Sequence, residues 1–461
     1  MKVLLVVYNN DSFIHWFPQG MAYIAAAIRH EHEVTIYNQD WHHYPDEHLN
    51  AYLNENKFDV IGVSVIGGYY QYRKLLKISE AINNSKNRPF YVIGGHGPSA
   101  DPPFFIKKTK ADAVVIGEGE ETIKELLSAV QNNTSFYNVK GIAFPDVGKT
   151  ITTPPRPLIK DIDTIPIPAY DLFPIEYYRL VREPRTTNSD FVMPVLTGRG
   201  CHFKCNFCYR MDAGLRERKN ANIINEIKHL QKEYNINYFA FSDELLMSSK
   251  KRVVSLCHDF IKEGLNIKWN CSGRLNYASP EVIKIMKQAG CVFINYGIEC
   301  YDDNMLRKMK KCLTTEQIRI GIENTLNEGL SPGFNIIFGN IGEGAEELQK
   351  GVDFLLKYDD GAQLRTIRPV TPYPGSPLYD YAIEKGMIKD CEDFYENKHT
   401  NSDLMSVNFT RLSDTEYYSA LYKANKTLLN NYIQKQTSQN KQTLDNLYIN
   451  KDANFRGFRQ I

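Results

Sequence analysis

Short, continuously apolar runs alternate with helical patterns twice along this chain, once before residue 130 and again after residue 191, with a proline-rich interruption between them. In the first half the runs are KVLLVVY (2–8), VTIY (34–37), VIGVSVI (60–66), FYVIGG (90–95) and AVVIG (113–117). Runs apolar on both faces suit the strands of a parallel sheet covered by helices on each side. Residues 1–140 are therefore expected to form a doubly wound, Rossmann-like α/β domain. A hairpin-like stretch, GIAFPDVGKTI (141–151), leads into prolines at 154, 155, 157, 166, 168 and 174, which sustain neither helix nor central strand. The linker is placed at 141–190.

After residue 191 the alternation restarts with VMPVLT, YFAFS (238–242), KWNCS (268–272), VFINYGI (292–298), FNIIFG (334–339) and QLRTIRP (363–369), with helical patterns between them. Six such steps over 191–385 suit a partial (β/α)6 barrel, in which chemistry gathers at the C-terminal ends of the strands. Residues 386–461 form a C-terminal extension whose polar stretch from about 430 lacks clear periodicity, as in a partly disordered or docked segment.

Composition narrows the function classes. With 55 Lys and Arg against 54 Asp and Glu, no overall field draws the chain to nucleic acid or anionic membrane, so a small-molecule substrate is the expected partner and nucleic acid is not. The start, MKVLLVVYNN, has only five consecutive apolar residues, too few for a signal-peptide core or a membrane span. Nine cysteines, an odd number of which only three cluster, argue against a secreted disulfide framework and for a reducing, cytoplasmic setting.

The three clustered cysteines are Cys201, Cys205 and Cys208 in GRGCHFKCNFCYR (198–210), directly after the first strand of the second half. Their C-x3-C-x2-C spacing lets three thiolates ligate three irons of a cubane and leave the fourth iron open. The spacing alone also admits a zinc site completed by His202 or a distant ligand, or unliganded buried thiols. Cys257, Cys271, Cys291, Cys300, Cys312 and Cys391 show no ligand spacing and read as small buried hydrophobes.

The cysteine motif, with aromatic Phe207 before its last cysteine and a β-α pattern downstream, closely resembles the radical S-adenosylmethionine (SAM) superfamily over roughly 190–385. The resemblance implies a 4Fe-4S cluster, SAM, and a low-potential electron donor such as flavodoxin or ferredoxin. It also implies SAM contacts at successive strand ends. Asp243 and Glu244 in FSDELL stand where an acidic segment approaches the SAM amino group, although the family's more usual Gly-Gly-Glu form is absent. Arg274 in SGR is placed to pair with the SAM carboxylate, Glu299 in YGIECYDD points toward SAM, and Gly339 in FGNIGE lets backbone approach the adenosine. Each residue also has an ordinary alternative. Asp243 and Glu244 could cap the helix beginning near Ser248, and Arg274 and Glu299 could simply pair with each other.

The N-terminal half carries FPQGMAYIAA (17–26), VSVIGGYYQ (63–71), IGGHGPSADP (93–102) and IGEGEET (116–122) at the turns from strand to helix. Their order resembles the cobalamin-binding domain that precedes the barrel in one radical SAM class. That likeness implies cobalamin contacts at Ser64, Gly67, Gly94 and Gly95, and at Gly117, Glu118 and Gly119. The Asp-x-His-x-x-Gly motif of many cobalamin proteins is missing, since His96 lies in GGHGP without that spacing, so cobalamin is expected with its own base displaced and no protein histidine below. The alternative is a Rossmann-like domain that serves as scaffold without cobalamin.

Together these resemblances imply a cobalamin-dependent radical SAM methyltransferase acting on an unactivated carbon or a phosphinate phosphorus. The alternatives are cobalamin-associated rearrangement, ring contraction or oxidative cyclisation, a non-catalytic cobalamin or metal sensor, and a zinc-binding interaction protein.

Overall fold

Residues 10, 12–15, 212–213 and 456–461 aside, a computed structural model describes the whole chain. The five apolar runs of the first half become β1 (Lys2–Val7), β2 (Glu33–Asn38), β3 (Val60–Ser64), β4 (Phe90–Gly94) and β5 (Ala113–Val115). They lie parallel in the order β2-β1-β3-β4-β5. Leu4 and Ile61 are completely buried on one face, and Leu5 and Val3 nearly so on the other. Burying each such side chain contributes roughly 1.5–3 kcal/mol, which explains why these runs carry no polar alternation.

The hairpin at 141–151, expected to open the linker, instead continues this sheet. It forms β6 (Ile142–Asp146) and β7 (Lys149–Thr152), and β6 pairs antiparallel with β5, so the sheet has seven strands. An antiparallel partner needs only a short return, and it covers an edge that β5 would otherwise expose.

The second half opens with β8 (Val192–Val195), followed by a short antiparallel ladder of β9 (Gly198–Arg199) and β10 (Arg216–Glu217) that brackets the cysteine loop. Then come β11 (Tyr238–Phe241), β12 (Lys268–Gly273), β13 (Cys291–Glu299), β14 (Ser331–Phe338) and β15 (Ile367–Pro369). The six longer-range partners form an open, all-parallel sheet in the order β15-β14-β13-β12-β11-β8. Helices between the strands begin on local signals. The Ser249 hydroxyl accepts from the Arg252 amide to start Lys250–Lys262, and a Thr314–Gln317 capping box starts Thr315–Asn327.

The C-terminal extension is largely ordered and docked. Tyr395 and His399, both almost fully buried, hold the start of the helix Tyr69–Asn83: the Tyr395 hydroxyl donates to Gly67 O (3.0 Å) and His399 Nε2 accepts from the Tyr69 amide (3.2 Å). A 31-residue helix, Asp414–Leu444, then buries Tyr417, Leu421, Ala424 and Leu428 against the body through its first half, and the polar stretch from about 430 makes its second half. The end of the extension, 456–461, lies outside the described residues. Among the described residues no helix is long and apolar enough to cross a membrane.

Candidate functional site

The carboxyl ends of the two sheets meet around a cavity of about 390 Å³. The N-terminal wall includes Ser64 at the end of β3, Gly94 at the end of β4 and Gly95 after it, Gly117 and Gly119 after β5, and Gln19, Gly20, Met21, Tyr23 and Ile24 from the first helix. The opposite wall is Leu196, Gly198, Arg199 and Gly200, which run directly into Cys201, together with Ser242 and Glu244 at the end of β11. A doubly wound sheet opens its crevice at the strand ends, and here that crevice faces the cysteine loop.

The glycines of the N-terminal wall are there for different reasons. Gly117 holds φ at +76° and a Cβ added to it meets nothing within 4 Å, so the loop presents bare backbone beside open space. At Gly95, with φ +97°, an added Cβ would stand 2.3 Å from Val65 O, so its own chain demands the glycine. Gly67, expected at the cofactor, is instead held by the extension, where its Cβ would meet Gly97 and the Tyr395 hydroxyl.

Glu118 does not face a ligand with a free carboxylate. It accepts from Arg199 Nη1 (2.9 Å), from Arg216 Nη1 (2.8 Å to each oxygen) and from the Ile159 amide (2.9 Å), which commits it to the barrel and the linker.

The cysteine loop is braced from several sides. Partial burial, and after it the neighbouring thiols of Cys205 and Cys201, push the Cys208 thiol up to about 11, although the residue still reaches the surface. Such mutual repulsion between thiolates is what bound iron relieves. No three His, Cys, Asp or Glu among the described residues are spaced to hold a single metal ion, whereas a cubane takes one thiolate per iron. Phe207 packs partly buried beside Cys300 and Met305, while the Asn206 amide donates to Met309 O (3.0 Å).

The charged residues expected around SAM act mainly on this loop. Asp243 accepts from the amides of Thr197 (2.6 Å) and Gly198 (3.1 Å) and from the Thr197 hydroxyl, fixing the turn before the cysteines. Burial lifts its carboxyl to about 6 despite these bonds. Asp243 does not cap the next helix, which Ser249 starts. Nor do Arg274 and Glu299 pair with each other. Arg274 donates to the carbonyls of Lys311 (2.6 Å) and Cys312 (3.1 Å), and its guanidinium lies 3.4 Å over the Phe203 ring. Glu299 instead takes Lys311 Nζ at 2.8 Å, and Gly297 leaves room for that pair, since a Cβ there would lie 2.5 Å from the carboxylate.

Gly339 also has a local cause: its added Cβ would lie 2.9 Å from the Tyr417 hydroxyl of the C-terminal helix. The turn it begins is closed by Glu343, which accepts from the Gly339 and Asn340 amides (2.8 and 3.0 Å) and from the Cys300 thiol (3.5 Å). Burial dominates there too and raises Glu343 to about 7. Of the other cysteines, Cys257, Cys271, Cys291, Cys300 and Cys391 are buried, but Cys312 is exposed on the left-handed turn that Arg274 holds. Sequence reasoning passed over Thr197, Arg199, Phe203, Lys311 and Glu343. Arg199 and Phe203 stand inside the quoted cysteine motif, which was the available signal for them.

Residues 5–127 match the B12 binding domain family, and residues 195–355 match the radical SAM superfamily. An uncharacterized methyltransferase from Pyrococcus horikoshii is 32% identical over 400 residues, covering 84% of this chain and 84% of the relative. The chain belongs to the radical SAM proteins with an N-terminal B12-binding domain. Membership implies a 4Fe-4S cluster, SAM and cobalamin as the cofactors of this radical SAM protein. An anaerobic magnesium-protoporphyrin IX monomethyl ester cyclase from Rubrivivax gelatinosus is 25% identical, over 86% of this chain and 72% of its own. The fold is that of the radical SAM methyltransferase TsrM from Kitasatospora setae, with a TM-score of 0.72 at 17% identity over 93% of this chain and 88% of that one.

The residues present fit these groups. Three thiols on one loop suit a cubane with an open iron, and an apolar cavity edged by bare glycine backbone suits a large ligand rimmed with amides.

Proposed function

We propose that this radical SAM protein is a cobalamin-dependent methyltransferase that methylates an unactivated carbon or a phosphinate phosphorus of a small molecule. The observation that carries the reading is the shared cavity, in which the glycine loops of the B12-binding domain and the approach to Cys201 form opposite walls of one space. A methyl donor and a SAM-derived radical act on the same substrate atom only if both cofactors border one water-poor chamber.

In this reading Cys201, Cys205 and Cys208 hold the cluster and leave one iron for SAM. Phe207 and Glu244 stay assigned to the SAM side, while Asp243, Arg274, Glu299 and Gly339 act one step back by fixing the loops around it. Ser64, Gly94, Gly95, Gly117, Glu118 and Gly119 border the cobalamin, and Gly67 shapes that border from behind. The bound groups together supply a transferable methyl and a hydrogen-abstracting radical, and a low-potential donor such as flavodoxin or ferredoxin supplies the electron. The chain's own work is to orient the cofactors and exclude water and oxygen.

The cyclase relative from Rubrivivax gelatinosus supports a second reading, oxidative cyclisation or rearrangement without net methylation. Anaerobically reconstituted protein given SAM, a low-potential reductant and candidate substrates separates the two by mass spectrometry. Methylation yields both S-adenosylhomocysteine and 5′-deoxyadenosine with a product heavier by CH2, a methyl group in place of the abstracted hydrogen. Substrate conversion with 5′-deoxyadenosine and without S-adenosylhomocysteine would establish the second reading in its place.

A further inference from the structure

Arg199 stands two residues before Cys201, and its guanidinium reaches across to the other domain. Nη1 donates to Glu118 (2.9 Å) and Nη2 to Glu120 (2.5 Å), while the cation lies 5.2 Å over the Tyr23 ring. Glu118 and Glu120 flank Gly119 on the wall opposite the cysteine approach, and both carboxylates are nearly buried. Arg216, the β10 partner of Arg199 across the ladder, closes on Glu118 as well. One set of charges therefore spans the cavity's two walls and is bonded to both. A bidentate, desolvated arrangement of this kind holds its geometry far better than a surface ion pair.

We infer that the Arg199–Glu118–Glu120 cluster is a positioning device that makes the occupancy of the two cofactor sites interdependent. The inference rests on the reading that the cavity takes cobalamin and the cysteine loop takes the cluster. Ordering the cysteine loop around iron fixes Arg199, Arg199 fixes the Glu118–Gly119–Glu120 turn, and that turn then meets cobalamin already in its bound shape. Linkage makes the effect reciprocal, so cobalamin also favours the ordered cysteine loop. Lysine in place of Arg199 keeps the charge but exchanges the rigid planar fork for a point charge on a flexible stem, which does not fix the angle between the two carboxylates.

The test is a hydroxocobalamin titration followed by visible absorbance, on full-length protein with and without a reconstituted cluster under anaerobic conditions. For the parent protein the cluster-loaded form should bind at least about fivefold more tightly, the low end of typical coupling. In Arg199→Lys the ratio should fall to near one, while iron content and the circular dichroism spectrum stay unchanged. Should Arg199→Lys fail to fold, Glu120→Gln takes the charge from one arm only and should lower the ratio partway. An undiminished ratio in the folded variants, or a ratio of one in the parent, overturns the inference. Absence of hydroxocobalamin binding in both parent forms instead defeats the cobalamin reading beneath it.

Discussion

The two walls of the cavity are built in opposite ways. The N-terminal wall is edged by glycine, with Gly117 beside open space and its carboxylates Glu118 and Glu120 already taken by Arg199, whereas the supports behind the barrel wall are dense with charge at Asp243, Arg274, Glu299 and Lys311. The charges on the barrel side are almost wholly spent on the protein itself: Asp243 on Thr197 and Gly198, Arg274 on the 311–312 carbonyls, and Glu299 on Lys311. The contrast separates two ways of preparing a site. A shaped backbone surface receives a large ligand directly, and buried polar bonds hold the loop that carries the ligating thiols.

Removing a thiol should break the comparison most severely. Cys201→Ala, Cys205→Ala or Cys208→Ala is expected to abolish SAM cleavage and strip the iron, because each thiolate holds a different iron. The N-terminal cavity should still take cobalamin, about fivefold more weakly, so absorbance would report one site filled and the other empty. Full SAM cleavage in any of the three would end the cluster assignment.

Asp243→Ala comes next in size. It leaves the buried Thr197 and Gly198 amides unpaired, which costs about 1–3 kcal/mol for each group so exposed. Urea unfolding should show the loss, and the reconstituted protein should hold less iron although every cysteine remains. Unchanged iron and stability would return Asp243 to the SAM contact that its position in FSDELL suggests.

A pair of glycine variants then sharpens the distinction within the N-terminal wall. Gly95→Ala forces a Cβ to 2.3 Å from Val65 O and should lower the melting temperature markedly. Gly117→Leu adds its side chain where nothing stands within 4 Å, with only the left-handed strain of roughly 1–2 kcal/mol. Its larger effect should be on cobalamin affinity, with iron content preserved.

The smallest effect expected is on pH dependence. Glu343 is raised by burial to about 7 from 4.5, so the folded protein keeps a proton that the unfolded chain has already released between those values. Its contribution to stability is therefore complete below about pH 4.5 and is lost as pH rises through 7. Glu343→Gln should flatten the decline in stability between pH 5 and 7.5, and an equal slope in parent and variant would show that another group carries it.

Much of the fold was legible because a parallel sheet buried on both faces requires the uninterrupted apolar runs seen at 2–8, 60–66 and 90–95. The hairpin was legible as a hairpin, but its partner was not, because its turn chemistry says nothing of which edge β6 will cover. The final helix carries its apolar signal at Tyr417, Leu421, Ala424 and Leu428. Beyond that its contacts are polar, such as Lys435 to Asp359 O, and polar contacts leave no periodicity to read.

The clustering of three cysteines on one loop after β8 was legible from spacing. The partners of the strand-end charges were not, because Lys311, Thr197 and Arg216 are brought to them by tertiary packing from distant or unremarked positions.

The central claim is that one chamber borders both a cluster and a cobalamin, and its most direct test is the cofactor content of a single preparation. The protein should be reconstituted anaerobically with iron, sulfide and hydroxocobalamin, freed of excess, reduced, and assayed for metal content and by electron paramagnetic resonance. The account predicts about four irons and about one cobalamin per chain, with a displaced-base cob(II)alamin signal lacking protein-nitrogen hyperfine coupling. A nitrogen coupling would reassign the lower face to a histidine such as His96, which lines the cavity. A preparation with a full cluster and competent SAM cleavage that retains no cobalamin would contradict the account.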